Sequence, residues 1–316
     1  MNIIFMGTPE FAVPSLDILL KNNYTVKAVV TAVDKPAGRG KVMHESAVKK
    51  YAVSQNLKVL QPGKLKSEDF IDQLRSLKPD VIVVVAFRML PEAVWKLPSK
   101  GTFNLHASLL PNYRGAAPIN WAVMNGEKQT GVTTFFIDQE IDTGNILFYD
   151  KIDISDQDDA GIIHDTLMIK GAELVLKTVQ YIQKGEIKPV KQDSLLTKYS
   201  VLKSAPKLDR EKCRIDWTRN SKEIYNQIRG LSPYPGAWSE ISNKEQTLIM
   251  KIFKSEIVNS IETVENGRII TDKKNYIYVK SGDELISLKE LQLQGKKRLQ
   301  VQDFLRGFDI HEYSFI

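Results

Sequence analysis

Residues 80–85 read Asp80-Val81-Ile82-Val83-Val84-Val85. A β-branched run with no polar alternation suits a strand covered on both faces, the setting of a central parallel strand. The chain on either side fits that setting. Upstream, Asn2-Ile3-Ile4-Phe5-Met6 is a short apolar run broken by Gly7-Thr8-Pro9, the form of a buried strand ending at a turn. Phe11, Leu16, Leu19 and Leu20 then recur near a helical period, with Pro14 early enough for a first turn. Residues 25–31 predict a second strand, and Ser67 could cap a helix running to about Leu77. This strand–helix repetition predicts an α/β fold, a doubly wound, Rossmann-like sheet.

Beyond a helical segment at about 159–184, the pattern changes. Residues 185–206 hold prolines and lysines with little periodicity and predict a linker. From 207 onward a helix near 221–231 is followed by short strand-like pieces at 247–253, 276–280 and 285–293, with turns such as Glu265-Asn266-Gly267 between them. That density of short strands predicts a small OB-like β-barrel. The expected division is 1–184, linker 185–206, and barrel 207–316.

Composition narrows the function. The 316 residues are 42% hydrophobic and 26% charged, a globular balance, and 44 Lys+Arg against 38 Asp+Glu give a mild excess of +6. That excess is compatible with a polyanionic partner without establishing one. The lone Cys213 excludes an intramolecular disulfide and zinc sites built on two cysteines of one chain. No basic leader or long apolar stretch is seen, so a cytoplasmic protein without membrane contact is expected. No zipper pattern suggests an obligate protein partner, and a monomer is expected.

Chemistry concentrates in Thr102-Phe103-Asn104-Leu105-His106-Ala107-Ser108-Leu109-Leu110-Pro111. Asn104 and His106 sit two apart and would project to one face of a strand. An amide donor beside an imidazole suits acyl transfer, the amide holding an oxyanion and the imidazole exchanging protons. A strand end with a satisfied polar pair fits the spacing equally. Asp142, in Asp142-Thr143-Gly144, could orient His106. Asp-Thr-Gly is also the short aspartic-protease motif, but no second copy occurs and the fold context is wrong. After the first strand Pro9 and Ala12 replace glycines that a dinucleotide site needs, which argues against nicotinamide. Residues 34–41, Asp34-Lys35-Pro36-Ala37-Gly38-Arg39-Gly40-Lys41, form a basic loop that could contact phosphates or simply be solvated. Lys296-Lys297-Arg298 is a similar cluster. The scattered His44, His164 and His311 give no metal-ligand spacing, so no metal is expected.

Taken together, Phe5-Met6-Gly7-Thr8-Pro9-Glu10-Phe11, the loop 34–41, residues 104–119, residues 131–146 and Ser232-Pro233-Tyr234-Pro235-Gly236-Ala237-Trp238 resemble the methionyl-tRNA formyltransferase family over essentially the whole chain. The resemblance implies a folate-dependent formyltransferase domain at 1–184 and a tRNA-binding barrel at 207–316. It implies 10-formyltetrahydrofolate as formyl donor and methionyl initiator tRNA as acceptor. On the same ground Asn104, His106 and Asp142 match the family's catalytic trio, and Ser108, Leu109, Leu110 and Pro111 its folate-contacting segment. Phe87, Arg88 and Met89 stand at the segment facing the pterin, with Arg88 where relatives often have glycine. Arg39 matches a loop arginine that contacts the tRNA acceptor end, with Lys35 and Lys41 beside it. Rival readings are a formyltransferase for another amine, a formyltetrahydrofolate hydrolase, and a non-catalytic RNA-binding module.

Overall fold

The aliphatic run forms the strand Val81–Val85, every residue of it buried. A computed structural model describes residues 1–37, 42–196, 201–260 and 262–316 of the chain. They divide into two compact units, neither continuous in sequence. The first comprises Met1–Gly115, Thr130–Ile152 and His164–Ser204; the second comprises Ala116–Gln129, Asp153–Ile163 and Ala205–Ile316.

In the first unit, strands β1 (Asn2–Gly7), β2 (Thr25–Val30), β3 (Val59–Leu60), β4 (Val81–Val85), β5 (Thr102–His106), β6 (Gln129–Phe136) and β7 (Ile146–Asp153) lie in the order β7-β6-β5-β4-β1-β2-β3. The pairs β1/β2, β2/β3, β1/β4 and β4/β5 are parallel, and β6 runs antiparallel to β5. Strand order therefore reverses between β1 and β4. In such sheets, ligands bind outside the carboxyl ends of the strands near this reversal.

The covering helices are α1 (Val13–Lys21), α2 (Ala47–Ser54), α3 (Glu68–Ser76) and α4 (Ala160–Lys184). Ser46 caps α2 by accepting from the Lys49 N–H at 3.0 Å, satisfying one of the orphan donors of the first turn. The buried side of α3, Phe70, Ile71 and Leu74, packs on Ile4, Met6, Ile82 and Val84 of β1 and β4. On α4, a Cβ at Gly171 would come within 2.6 Å of the Leu105 side chain, so glycine lets the helix close onto β5. Leu105 turns toward the helix, which leaves its neighbours Asn104 and His106 the opposite face.

Two local features differ from the sequence expectation. The start of the basic loop is a short strand, Lys35–Ala37, paired antiparallel with Val42–His44 and placing Lys35 opposite His44. The segment read as linker carries a β-bridge from Val190 to Ile146 and a 3-10 turn, Gln192–Leu195, with Gln192 buried. Through Ser204 this segment groups with the first unit.

The second unit holds α5 (Ser221–Gly230) and the strands β8 (Ala237–Ser242), β9 (Thr247–Val258), β10 (Ile269–Thr271), β11 (Ile277–Lys280), β12 (Leu285–Leu293), β13 (Leu299–Gln300) and β14 (Ser314–Phe315). Their order is β10-β11-β12-β9-β8-β14, with β13 added to β12, and neighbouring strands pair antiparallel. A bridge from Arg268 to Ser314 brings the two ends together, giving a nearly closed barrel. Gly267 makes that closure possible. Its φ of +81° favours glycine, and a Cβ there would lie 2.3 Å from the Phe315 carbonyl oxygen. Inside, Trp217 lies against Phe315 with ring centroids 4.8 Å apart and donates to Ser239 Oγ at 3.1 Å. Asn220 caps α5 by accepting from the Glu223 N–H at 2.8 Å. Among the described residues, no helix is long and apolar enough to cross a membrane.

Candidate active site

Strand β5 ends at the carboxyl edge of the sheet, next to β4, and carries Asn104 and His106 on one face. Asn104 is half-buried, and its side-chain amide has no hydrogen-bond partner among the described residues. An amide held on a rigid strand with its donors unspent is available to an incoming acceptor.

His106 is buried and fixed at one nitrogen. Its Nε2 lies 2.8 Å from the Tyr113 carbonyl oxygen. A carbonyl can only accept, so Nε2 carries the hydrogen and Nδ1 is the nitrogen left to gain or release a proton. Nδ1 faces Asp142 Oδ2 at 3.8 Å, beyond hydrogen-bonding range but close enough for a charge interaction. The same Asp142 oxygen accepts the Gly115 N–H at 2.9 Å. Asp142 holds a left-handed backbone, φ +58°, as does Tyr113 at +61°. Such conformations cost energy in non-glycine residues and persist where the surroundings enforce them.

The carboxylate loop is enforced from below. Gln192 Nε2 donates to the carbonyls of Asp142 and Gly144 at 2.8 and 2.9 Å, while its Oε1 accepts from Arg114 Nε and Nη2 at 3.1 and 2.7 Å. Gly144 admits no side chain, because a Cβ would fall 1.7 Å from the Phe136 carbonyl oxygen. Neither Arg114 nor Gln192 was singled out from sequence. Gln192 lies in an aperiodic stretch 50 residues beyond Asp142, and only the folded chain brings the two together.

Ser108 through Pro111 follow β5 directly. Ser108 is fully buried, with its hydroxyl donating to the Asn112 carbonyl at 2.7 Å and its carbonyl accepting from Thr133 Oγ1 at 2.7 Å. Leu110 packs with Phe135 and Ile146. That leaves Leu109 and Pro111, both half-buried, as the side chains of this segment open to a ligand. Phe87, Arg88 and Met89 follow β4 after Ala86, whose φ is +47°. Phe87 packs on the β1/β4 core, Arg88 donates to the Pro62 and Gly63 carbonyls, and Met89 is 65% exposed. With its guanidinium spent on backbone carbonyls, Arg88 joins the β4 loop to the turn after β3.

Lys35 is exposed at the start of the basic segment. Next to it, Asp34 is bonded to Lys49 and accepts from Gln61 Nε2 at 2.8 Å, and Lys49 also meets Glu45 at 2.8 Å. The Lys49 ammonium, and then the Gln61 amide, hold the Asp34 carboxyl below the usual carboxylate range. Arg39 and Lys41 lie outside the described residues.

The formyl transferase family profile matches residues 1–179, and the profile of its C-terminal domain matches residues 207–309. A methionyl-tRNA formyltransferase of Bacteroides fragilis is 50% identical over 99% of this chain and 96% of its own length. One from Phocaeicola vulgatus is 54% identical over 98% of this chain and 96% of its own. The chain belongs to the methionyl-tRNA formyltransferase family. The fold is shared more widely. A sugar 3N-formyl transferase, crystallised in the presence of dTDP and 5-N-formyl-THF, superposes with a TM-score of 0.65 at 22% identity, over 94% of this chain and 99% of that one. At the carboxyl edge of the sheet His106 and Asp142 stand 3.8 Å apart, and Asn104 lies two residues before His106 on the same strand. Among the described residues, no group of three or more His, Cys, Asp or Glu side chains could hold a metal ion.

Proposed function

We propose that the chain transfers the formyl group of 10-formyltetrahydrofolate to the α-amine of methionyl initiator tRNA, and that it does so in the cytoplasm. The observation that carries the chemistry is the unspent Asn104 amide beside an imidazole whose tautomer is set by a carbonyl. Family membership carries the acceptor and the donor.

An α-amine titrates at about 7.7–8.0, so much of it is protonated at neutral pH and must lose that proton before it attacks. The neutral amine nitrogen bonds to the formyl carbon on N10 of the folate, and the carbonyl oxygen takes up negative charge. Asn104 donates to that oxygen. The amine proton passes toward Nδ1 of His106, where Asp142 stabilises the imidazolium. Collapse of the adduct breaks the bond from the carbon to N10, and N10 takes a proton as tetrahydrofolate leaves. Ser108, Leu109, Leu110, Pro111, Phe87, Arg88 and Met89 border the folate, and the segment containing Lys35, Arg39 and Lys41 approaches the tRNA acceptor end.

The test follows labelled formyl from 10-formyltetrahydrofolate to methionyl initiator tRNA, beside free methionine and uncharged tRNA. Label on the aminoacylated tRNA alone is expected. Free formate with unlabelled tRNA would mean a hydrolase, and an untouched folate with folded protein would overturn the reading.

A further inference from the structure

We infer that Gln192, held by Arg114, is a positioning residue for the reaction. It sets the backbone of Asp142 so that the carboxylate faces His106 Nδ1. The inference rests on the roles given above to His106 and Asp142.

The chemistry of the contacts fixes the orientation of the Gln192 amide. Arg114 offers only donors, at 3.1 and 2.7 Å, so the atom facing it is the amide oxygen. The carbonyls of Asp142 and Gly144 only accept, so the atom facing them, at 2.8 and 2.9 Å, is the nitrogen. A flipped amide would put like against like on both sides. Gln192 is 2% exposed, so water offers it little compensation.

Three consecutive residues then act as a hub. The Tyr113 carbonyl accepts from His106, the Arg114 side chain holds Gln192, and the Gly115 N–H donates to Asp142 Oδ2. Through Gln192 the path returns to the Asp142 main chain, closing a ring from Arg114 to Gln192, to the Asp142 backbone, to its carboxylate, to Gly115 and back to Arg114. The hub is itself tied down, since the Tyr113 N–H donates to the Lys203 carbonyl at 2.6 Å. The spacing between Nδ1 and the carboxylate is therefore set by this ring, while the imidazole and the carboxylate share no direct hydrogen bond. Asp142 sits at φ +58°, a conformation that costs a non-glycine residue energy and that the bond from Gln192 to its carbonyl helps to hold.

The experiment is a kinetic cycle on the full chain, with 10-formyltetrahydrofolate and methionyl initiator tRNA as substrates. The variants are Gln192→Leu, Gln192→Glu, Asp142→Asn and the double variant Gln192→Leu with Asp142→Asn. Gln192→Leu is expected to lower kcat by about tenfold to a hundredfold, the scale of a misplacement near 1 Å, with both KM values within about twofold. Gln192→Glu is expected to match it, because a carboxylate still accepts from Arg114 but cannot donate to the two carbonyls. In the Asp142→Asn background, Gln192→Leu should cost nothing further, an outcome that general loosening of the fold would not give. Losses that multiply in the double variant, or a Gln192→Glu enzyme with full kcat, overturn the inference while leaving the trio intact. Full kcat in Asp142→Asn alone overturns the underlying reading and the brace with it. If thermal melting shows Gln192→Leu unfolded, Arg114→Lys, which keeps the charge and breaks the two-pronged contact, takes its place in the same cycle.

Discussion

Asn104 and His106 share one face of β5 because side chains alternate along a strand. The Tyr113 carbonyl that sets the His106 tautomer is a backbone atom and carries no residue signature. With its amide unspent, Asn104 is the residue whose loss should act most directly on the chemical step. Asn104→Ala is expected to lower kcat by about 10²–10³-fold, roughly 2.7–4 kcal/mol of barrier, with little change in tRNA affinity; single-turnover formylation checks it. A second residue-scale expectation concerns Asp34 and Lys49. The Asp34 carboxyl is held below its ordinary value, chiefly by the hydrogen bond from Lys49, so its contribution is complete above pH about 4 and fades as pH falls through the folded value. Lys49 is held above its ordinary value by Asp34 and then Glu45, so the same contact is complete below pH about 10 and fades as pH rises through the folded value. Urea midpoints of Asp34→Asn and the parent chain should therefore differ most between these limits and converge in acid and in strong base.

Elements declared themselves where one physical rule dominated. Continuous aliphatic runs became β1 and β4, and the helical period of 68–76 became α3 with its apolar side inward. Where burial alternates the signal weakened. In β9, the polar Lys254, Ser255 and Glu256 follow the apolar run, yet pairing with β12 carries the strand on to Val258. The basic segment read as a loop because Pro36 and glycine neighbours obscure a strand of three residues. The turn from β6 to β7 depends on a contact that sequence alone cannot display. The constraint on Gly144 is steric, from the Phe136 carbonyl oxygen. Backbone cannot yield as a flexible side chain can, so Gly144→Ala should destabilise the first unit by about 1–3 kcal/mol. It should also displace the Asp142 carbonyl from Gln192. Denaturant unfolding and kcat should fall together, whereas normal stability with normal turnover would show that the turn can shift freely.

At the scale of the whole molecule, the barrel's strands were legible and its full composition was not, because the second unit also recruits Ala116–Gln129 and Asp153–Ile163. The reason lies on α5. Arg229 is 5% exposed, and its guanidinium donates to the Asp158 and Ser155 carbonyls at 2.9 and 3.3 Å as well as to Asn226 at 2.8 Å. Nearby, the Tyr225 hydroxyl donates to the Asp156 carbonyl at 2.7 Å, and Asn120 of the helix Pro118–Met124 donates to the Gly230 carbonyl at 2.8 Å. A fragment cut at 207–316 keeps every barrel strand and loses all of these partners except Asn226. The consequence can be read from one substitution made in two contexts. In the full chain, Arg229→Met removes the charged hydrogen bonds to the Ser155 and Asp158 carbonyls, which should cost about 1.5–3 kcal/mol. In the fragment those carbonyls are gone and the guanidinium is free to reach water, so the same substitution should cost close to nothing. Denaturant unfolding of the four proteins checks this. Equal costs in both contexts would place the worth of Arg229 in its contact with Asn226, and the barrel would then stand independently of the segments it recruits.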